Sequence, residues 1–227
     1  MIGVSVANII CSLLFGHRYD HKDPEFETLL NSIEGIFQGF VGDTNMKDIP
    51  ILRLTPAFRK AMKYLHKHGD VLKAFYHKKI EEAKQRVLAD EDVNDFTALY
   101  IKEVRKLEGK DKETPKIQED WLIQLVSDFF LAGSETTATT MKWAVLYMAA
   151  HPDVQKKVQE ELDNVFEKSP RRFCLSDRDK IPYTDATISE VQRMSAITAV
   201  GLPHEAIRDV EIKGYRIPKG TTVSTYF

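Results

Sequence analysis

One long helical segment, from about residue 117 to residue 150, constrains the fold of this chain more than any other feature. No Gly-Pro pair interrupts it, and its apolar residues recur with the spacing of an α-helix. At 1.5 Å per residue it forms about 50 Å of helix, far more than the usual helix of about three turns. We therefore predict a mainly helical domain that is crossed by one long helix.

Shorter helical patterns lie on both sides of this segment, and short strand patterns follow them. The helices are predicted at residues 26 to about 41, 58–87, 96–107, 152–166 and 184–195. Residues 209–212, 215–217 and 221–227 are typical of strands separated by glycine-containing turns. The predicted fold class is mainly α with a small β region near the C-terminus, in a single domain over residues 1–227.

Composition and charge exclude several classes of protein. Of the 227 residues, 43% are hydrophobic and 29% are charged, which is usual for a globular domain. The net charge of -2 gives no sign of a nucleic-acid partner, which would favour a basic balance. The two cysteines, Cys11 and Cys174, form neither a disulfide framework nor a zinc motif. We expect no metal ligand in this chain.

Two segments raise the question of a membrane. Residues 2–15 are mostly apolar, but no basic residue precedes them, which favours a buried helix over the core of a signal peptide. The helix over residues 58–87 has a face rich in lysine. A solvated face is the favoured interpretation there, and contact with a membrane surface is the alternative. No apolar run reaches the roughly 18 residues of a membrane-spanning helix.

The middle of the long helix, residues 132–140 (AGSETTATT), is built from poor helix formers. Threonine hydroxyls can bond back to the carbonyl four residues earlier. Ala132 and Gly133 allow a bulky group to approach the backbone, and Glu135 and Thr136 offer an acid and a hydroxyl at that place. Close helix packing through small residues is the alternative explanation.

Two further features lie near the strands. Glu190 and Arg193 are three residues apart, so they share a helix face, and we expect Ile188, Val191 and Met194 to be buried beside them. This places the pair next to the core; the alternative is a surface ion pair of little energetic value. His204 follows a proline and is predicted to begin a strand, where it is either functional or a half-exposed polar residue.

The order of these segments resembles the animal microsomal cytochrome P450 family. The AGxETT segment is followed by PYTDA, ExxR, PH and GYxIPKGT, and residues 15–20 (FGHRYD) and 23–26 (DPEF) also resemble the family. The similarity is to the drug- and steroid-metabolising family 2 group. It implies a partial P450 fold, about helices E to K and the first strands after helix K.

The resemblance implies a role for each matching residue. Glu135 and Thr136 match catalytic positions that help deliver protons during oxygen activation, and Ala132, Gly133 and His204 match positions that contact heme or oxygen. Glu190 and Arg193 match the structural ExxR pair. The positions that match substrate-facing residues are Phe130, Leu131, Thr198 and Leu202.

The resemblance also implies cofactors and partners. The full-length protein would bind heme b (iron protoporphyrin IX), insert one oxygen atom into an apolar small molecule, and receive electrons of NADPH from NADPH-cytochrome P450 reductase. It would lie on the cytoplasmic face of the endoplasmic reticulum membrane. Neither cysteine resembles the family's heme loop, so we expect an internal fragment without the N-terminal anchor and the heme cysteine, inactive alone. The alternatives are a non-catalytic truncated P450-like protein or interaction module, and a helical scaffold unrelated to heme.

Overall fold

The computed structural model describes residues 2–43, 50–108, 119–166 and 173–226. The chain divides into two compact units, Met1–Ala138 and Thr139–Phe227. In the described residues the α-helices are α1 (Ile2–Phe15), α2 (Pro24–Asp43), α3 (Pro56–Leu88), α4 (Phe96–Glu108), α5 (Glu119–Ala150), α6 (Pro152–Phe166) and α7 (Pro182–Ser195). Two 3-10 helices cover Pro50–Leu54 and Leu175–Lys180.

The strands are short and form two separate antiparallel ribbons. β1 (His204–Glu205) pairs with β4 (Thr222–Val223), and β2 (Val210–Ile212) pairs with β3 (Tyr215–Ile217). The mainly α fold class with its small β region is therefore confirmed, and His204 begins a strand as predicted. The last strand is shorter than predicted, since β4 ends at residue 223.

Three helices begin two residues earlier than their apolar patterns predicted, each at a proline: Pro24, Pro56 and Pro182. Proline is favoured in the first turn because its missing N–H has no helical acceptor there and its φ is already helical. Glycine, proline and polar residues predict loops between Gly42 and Pro50, at 108–116 and at 169–172. Residues 44–49, 109–116 and 169–172 lie outside the described residues.

The core of the first unit joins α1, α2, α3 and α4 with the first part of α5. Aromatic rings form its centre, with Tyr19 stacked on Phe26 at 5.0 Å and Phe15 edge-on to Phe75 at 5.7 Å. The apolar segment at the start of the chain is a helix that buries one face, with Cys11 and Leu14, and exposes Ile9 and Leu13. The buried-helix interpretation therefore holds for that face. No helix of the described residues is long and apolar enough to cross a membrane.

A buried amide holds the turn that follows α1. Asn8 donates from its side chain to the Tyr19 carbonyl at 3.0 Å and accepts from the Tyr19 N–H at 2.7 Å. Gly16 ends the helix with a φ of +67, and a Cβ there would lie 3.1 Å from Asp95 Oδ2. This turn therefore needs both the buried asparagine and a residue without a side chain.

Several polar contacts of the second unit meet at the start of α7. Glu161 of α6 accepts from the backbone N–H groups of Tyr183 and Thr184 at 2.9 and 2.7 Å, at the beginning of α7. Arg178 donates two hydrogen bonds to Asp185, at 2.8 and 3.1 Å. Together these contacts fix the start of α7 and so the position of the ExxR pair along it.

Candidate functional site

The threonine-rich segment of α5 remains helical. Thr136 Oγ1 donates to the Ala132 carbonyl at 2.5 Å, so this hydroxyl bonds back to the helix as predicted. Because the hydroxyl bonds to the helix itself, a threonine can stand in this half-buried position without leaving a polar atom unpaired. Glu135, its neighbour in the sequence, is half-buried as well.

Ala132 and Gly133 have different environments. Ala132 is exposed and presents only a methyl group. Gly133 packs against α1, since a Cβ there would lie 2.9 Å from Ile10 Cδ1. Close packing through a small residue, the alternative raised from the sequence, therefore explains Gly133. Its predicted contact with heme or oxygen stays a prediction.

Phe130 and Leu131 belong to the core of the first unit. Phe130 is fully buried and its ring lies 6.1 Å from Tyr76 and 6.3 Å from Phe15. Leu131 is half-buried and lines a cavity of about 510 Å³ bounded by α2, α3 and α5. The substrate contacts predicted for these two residues stay predictions.

In the second unit Glu190 and Arg193 form a two-pronged ion pair on α7. The Arg193 guanidinium donates to the two Glu190 oxygens at 2.7 and 2.6 Å. These hydrogen bonds lower the pKa of Glu190 and raise the pKa of Arg193. Their side chains are 58% and 67% exposed, so the alternative of a surface pair describes this structure.

The prediction that the ExxR pair lies beside the core is wrong for this structure. Only Val191 of the three neighbouring apolar residues is buried, whereas Ile188 is 50% and Met194 is 53% exposed. The helical spacing correctly placed these apolar residues near one another, but spacing does not reveal whether another element covers that face.

The remaining predicted site residues follow α7. Thr198 is exposed and lines a cavity of about 410 Å³ together with Arg193. Leu202 is 77% exposed, and His204 is exposed on β1. The structure thus brings Arg193 and Thr198 to one cavity. Glu135 and Thr136 belong to the first unit.

Two features of the second unit were missed by sequence reasoning. Glu161 caps the start of α7 from another helix, and no local pattern around it marks that role. An apolar groove of about 450 Å³ lies between the end of α5, α6 and α7. A serine before two aspartates predicts that Ser176 caps the short turn; this prediction is wrong, because Cys174 and Asp177 form the capping contacts.

The sequence and structure match known proteins along nearly the whole chain. The family model for cytochrome P450 matches residues 1–227. Cytochrome P450 2D20 of Mesocricetus auratus is 37% identical over 227 residues, which cover 98% of this chain and 44% of that protein. Cytochrome P450 1A1 of Macaca mulatta is 35% identical over 221 residues, which cover 97% of this chain and 42% of that protein.

A solved structure supports the same assignment. A zebra fish cytochrome P450 with progesterone matches with a TM-score of 0.80 and 31% identity, over 99% of this chain and 50% of that chain. This chain belongs to the cytochrome P450 family. It spans less than half the length of the two curated relatives named above, and the predicted partial P450 fold is confirmed.

The contact of this segment with a heme stays a prediction, and the segment offers the kinds of residue that such a contact would need. Exposed Ala132, with half-buried Glu135 and Thr136 beside it, offers a small residue, an acid and a hydroxyl on one stretch of helix. The two cysteines do not fit the thiolate ligand of the iron. Burial raises the pKa of Cys11 to about 12, and the Cys174 thiol donates to Asp177 Oδ2 at 3.1 Å.

Proposed function

We propose that this chain is the central part of a heme-thiolate monooxygenase that oxidises an apolar small molecule. The observation that carries the proposal is the exposed Ala132 beside Glu135 and Thr136 on an unbroken helix, in a chain of the P450 family. In the full-length protein heme b would supply oxygen activation, with electrons of NADPH delivered by NADPH-cytochrome P450 reductase. Both units would then belong to one P450 domain.

The chain's own residues would transfer protons and help to hold the heme. Thr136 holds its hydroxyl at the Ala132 carbonyl, and Glu135 lies next to it, so an acid and a hydroxyl stand at the same turn of α5. Positioned groups of this kind can pass protons to a reacting oxygen in a pocket that excludes water. His204, exposed on β1, would contact a heme propionate.

The predicted surroundings complete the proposal. Phe130, Leu131, Thr198 and Leu202 would face the substrate. The full-length protein would act on the cytoplasmic face of the endoplasmic reticulum membrane. The names of the curated relatives, which are family 1 and family 2 P450s, support this setting.

The test compares single-threonine variants of the full-length protein. We expect Thr136→Ala to lower product formed per NADPH by roughly tenfold, with more peroxide released, since general acid catalysis contributes about a hundredfold or more. Thr137→Ala is the matched control, because Thr137 is the exposed neighbour on the same helix. If the unaltered protein and both variants formed the same amount of product per NADPH, the proposed role of Thr136 would be wrong.

A non-catalytic role is the second candidate for the 227-residue chain itself, and the state of its cysteines favours it. The Cys11 thiol is buried, and the Cys174 thiol donates a hydrogen bond to Asp177. We expect the purified chain, mixed with heme and reduced under carbon monoxide, to lack the absorption band of a thiolate-ligated complex. Appearance of that band, and its loss in Cys174→Ser, would show that this chain holds heme by itself.

A further inference from the structure

A gap in the apolar face of α3 leaves open space in the first unit. Apolar side chains of α3 recur at helical spacing at Leu65, Leu72 and Tyr76, and Gly69 stands where the pattern would place another. Nothing lies within 4 Å of the Cβ position of Gly69. Gly69 also lines the cavity of about 510 Å³ between α2, α3 and α5, so the absent side chain leaves room there for a ligand.

Part of the lining of this cavity is apolar. Ile36 of α2, Leu72 of α3, and Ile123 and Leu131 of α5 contribute to it. Leu72 and Ile123 are buried in the core, so packing holds this part of the lining in place. Leu131 is one of the residues that we predicted to face a substrate. A cavity of this size with apolar walls suits an apolar small molecule.

Two charged side chains stand among the polar residues of the lining. The polar residues are Lys73, Asp120, Gln124 and Ser127. Gln124 already has a partner, because its amide donates to Asp128 at 2.6 Å. Lys73 and Asp120 are exposed and form no ion pair with one another or with other described residues. Both charges are therefore available to a ligand.

The two charges differ in what already balances them. Asp120 is the second residue of α5, where the helix dipole stabilises a negative charge. Lys73 lies in the middle of α3, so no helix end compensates its ammonium group. Lys73 is therefore the charge that gains more from a ligand of opposite sign.

The other charges of α3 act in the same direction. Between residues 56 and 80 the sequence has Asp70 as its single acid. The exposed basic residues of this stretch are Arg59, Lys60, Lys63, Lys67, Lys73 and Lys78. A surface dominated by one sign of charge raises the local concentration of ligands of the opposite sign. The cavity therefore lies beside a helix whose field attracts anions.

We propose that this cavity binds an apolar molecule that carries a carboxylate, with the carboxylate at Lys73 and the apolar part against Leu72, Ile123 and Leu131. Hydrogen bonds between an ammonium group and a carboxylate are stronger than those between neutral groups. Lys73 is then a specificity-determining residue, because it separates an acid from a neutral molecule of similar shape. As a substrate class the inference rests on the monooxygenase function proposed above, whereas the binding itself does not.

Three probes with one apolar chain and different head groups test the proposal. The 227-residue chain is titrated calorimetrically with decanoate, decanol and decylamine, each below its micelle concentration. We expect decanoate to bind about tenfold more tightly than decanol, since a charge-assisted hydrogen bond is about twice as strong as a neutral one. Decylamine should bind least tightly of the three.

Variants of α3 locate the site. Lys73→Met should remove the preference for decanoate over decanol. Lys67→Met is the matched control, because Lys67 is exposed on the same helix and does not line the cavity. It should change decanoate binding less than twofold. Gly69→Leu should fill the cavity without a clash and weaken all three probes at least tenfold. Circular dichroism of each variant checks that the helices remain.

Several outcomes would overturn the proposal. These are equal binding of the three probes, tightest binding of decylamine, equal effects of Lys73→Met and Lys67→Met, or decanoate binding that Gly69→Leu leaves unchanged. If decanoate binds as expected and the full-length protein has no monooxygenase activity, the site stands and only the proposed function falls. An active full-length protein whose 227-residue chain shows no preference for decanoate would remove the substrate class alone.

Discussion

Asp95 shows how one buried carboxylate can fix several parts of the first unit. It is 1% exposed, accepts from the N–H of Ala98 at 2.9 Å to cap α4, and accepts from Arg86 at 2.7 Å. Arg86 also reaches the carbonyl of Phe15 at the end of α1, at 3.5 Å. The residue thus ties α1, α3 and α4 together at one point.

Replacement of Asp95 should therefore destabilise the fold. We expect Asp95→Ala to lower the free energy of unfolding by about 3 kcal/mol, because it removes a helix cap and leaves Arg86 without its buried partner. Asp95→Asn keeps a capping oxygen, so its loss should be smaller. Urea unfolding followed by circular dichroism measures both, and equal losses would show that the cap contributes little.

The two cysteines should differ sharply in reactivity. Burial raises the pKa of Cys11 to about 12, so its thiolate is scarce at neutral pH, whereas Cys174 is exposed. We predict that iodoacetamide at pH 8 labels Cys174 in the native chain and labels Cys11 only in urea. Mass spectrometry of the peptides identifies the labelled thiol; rapid labelling of native Cys11 would contradict its burial.

At the scale of elements, α2 and α3 approach closely through glycines. A Cβ at Gly35 would lie 2.6 Å from the His68 ring, and one at Gly39 would overlap Leu65. Neither glycine is needed for a turn, since both lie within α2. Their role is to let the two helices approach, which no propensity scale could reveal.

Matched glycine substitutions test this packing. We expect Gly35→Ala to destabilise the chain by about 2 kcal/mol because the added methyl group overpacks the contact. Gly69→Ala in α3 is the control; nothing lies within 4 Å of its Cβ position. Its higher helix propensity should stabilise the chain by about 1 kcal/mol. Thermal melts measure both, and a similar gain from both variants would mean that α2 can move away at no cost.

At the scale of the whole molecule, the two units differ in what they bury. The first has a large apolar core, whereas the second carries exposed ion pairs, each of which contributes little by itself. Hydrogen bonds from Arg193 lower the pKa of Glu190, and those from Arg216 lower the pKa of Asp209. A carboxylate whose pKa is lowered by folding stabilises the fold fully above its unfolded pKa. That contribution is lost as pH falls through the lowered folded pKa.

The pH dependence of the second unit follows from the lowered pKa of these carboxyl groups. We expect its stability to fall below about pH 4, the ordinary range of a carboxyl group. Glu190→Gln should lower the hydrogen-exchange protection of α7 at pH 6 and make no difference at pH 2, where both proteins lack the charge. If Glu190→Gln changed the hydrogen-exchange protection of α7 equally at both pH values, the carboxylate charge would be irrelevant. High salt should reduce the change in protection at pH 6, because salt screens exposed charges.

The sequence predicts which helices and strands exist better than it predicts where they begin and which of their side chains are buried. The long helix α5 and the strand at His204 were predicted from periodicity and turn residues, which are local properties. Apolar periodicity puts the starts of α2, α3 and α7 two residues too late, because each helix begins at a proline that is not part of the apolar pattern. The predicted burial of Ile188 and Met194 is wrong, because burial depends on what packs against α7 and helical spacing does not contain that information.

Residue spacing and residue type are enough to predict the helices, the family and the order of the site segments, because both can be read along the chain. The folded chain alone shows that Gly133 packs against Ile10, that Glu161 caps α7, and that Glu190 and Arg193 are exposed. These properties depend on residues distant in sequence meeting in space, and the position of a distant partner is not encoded in any local pattern.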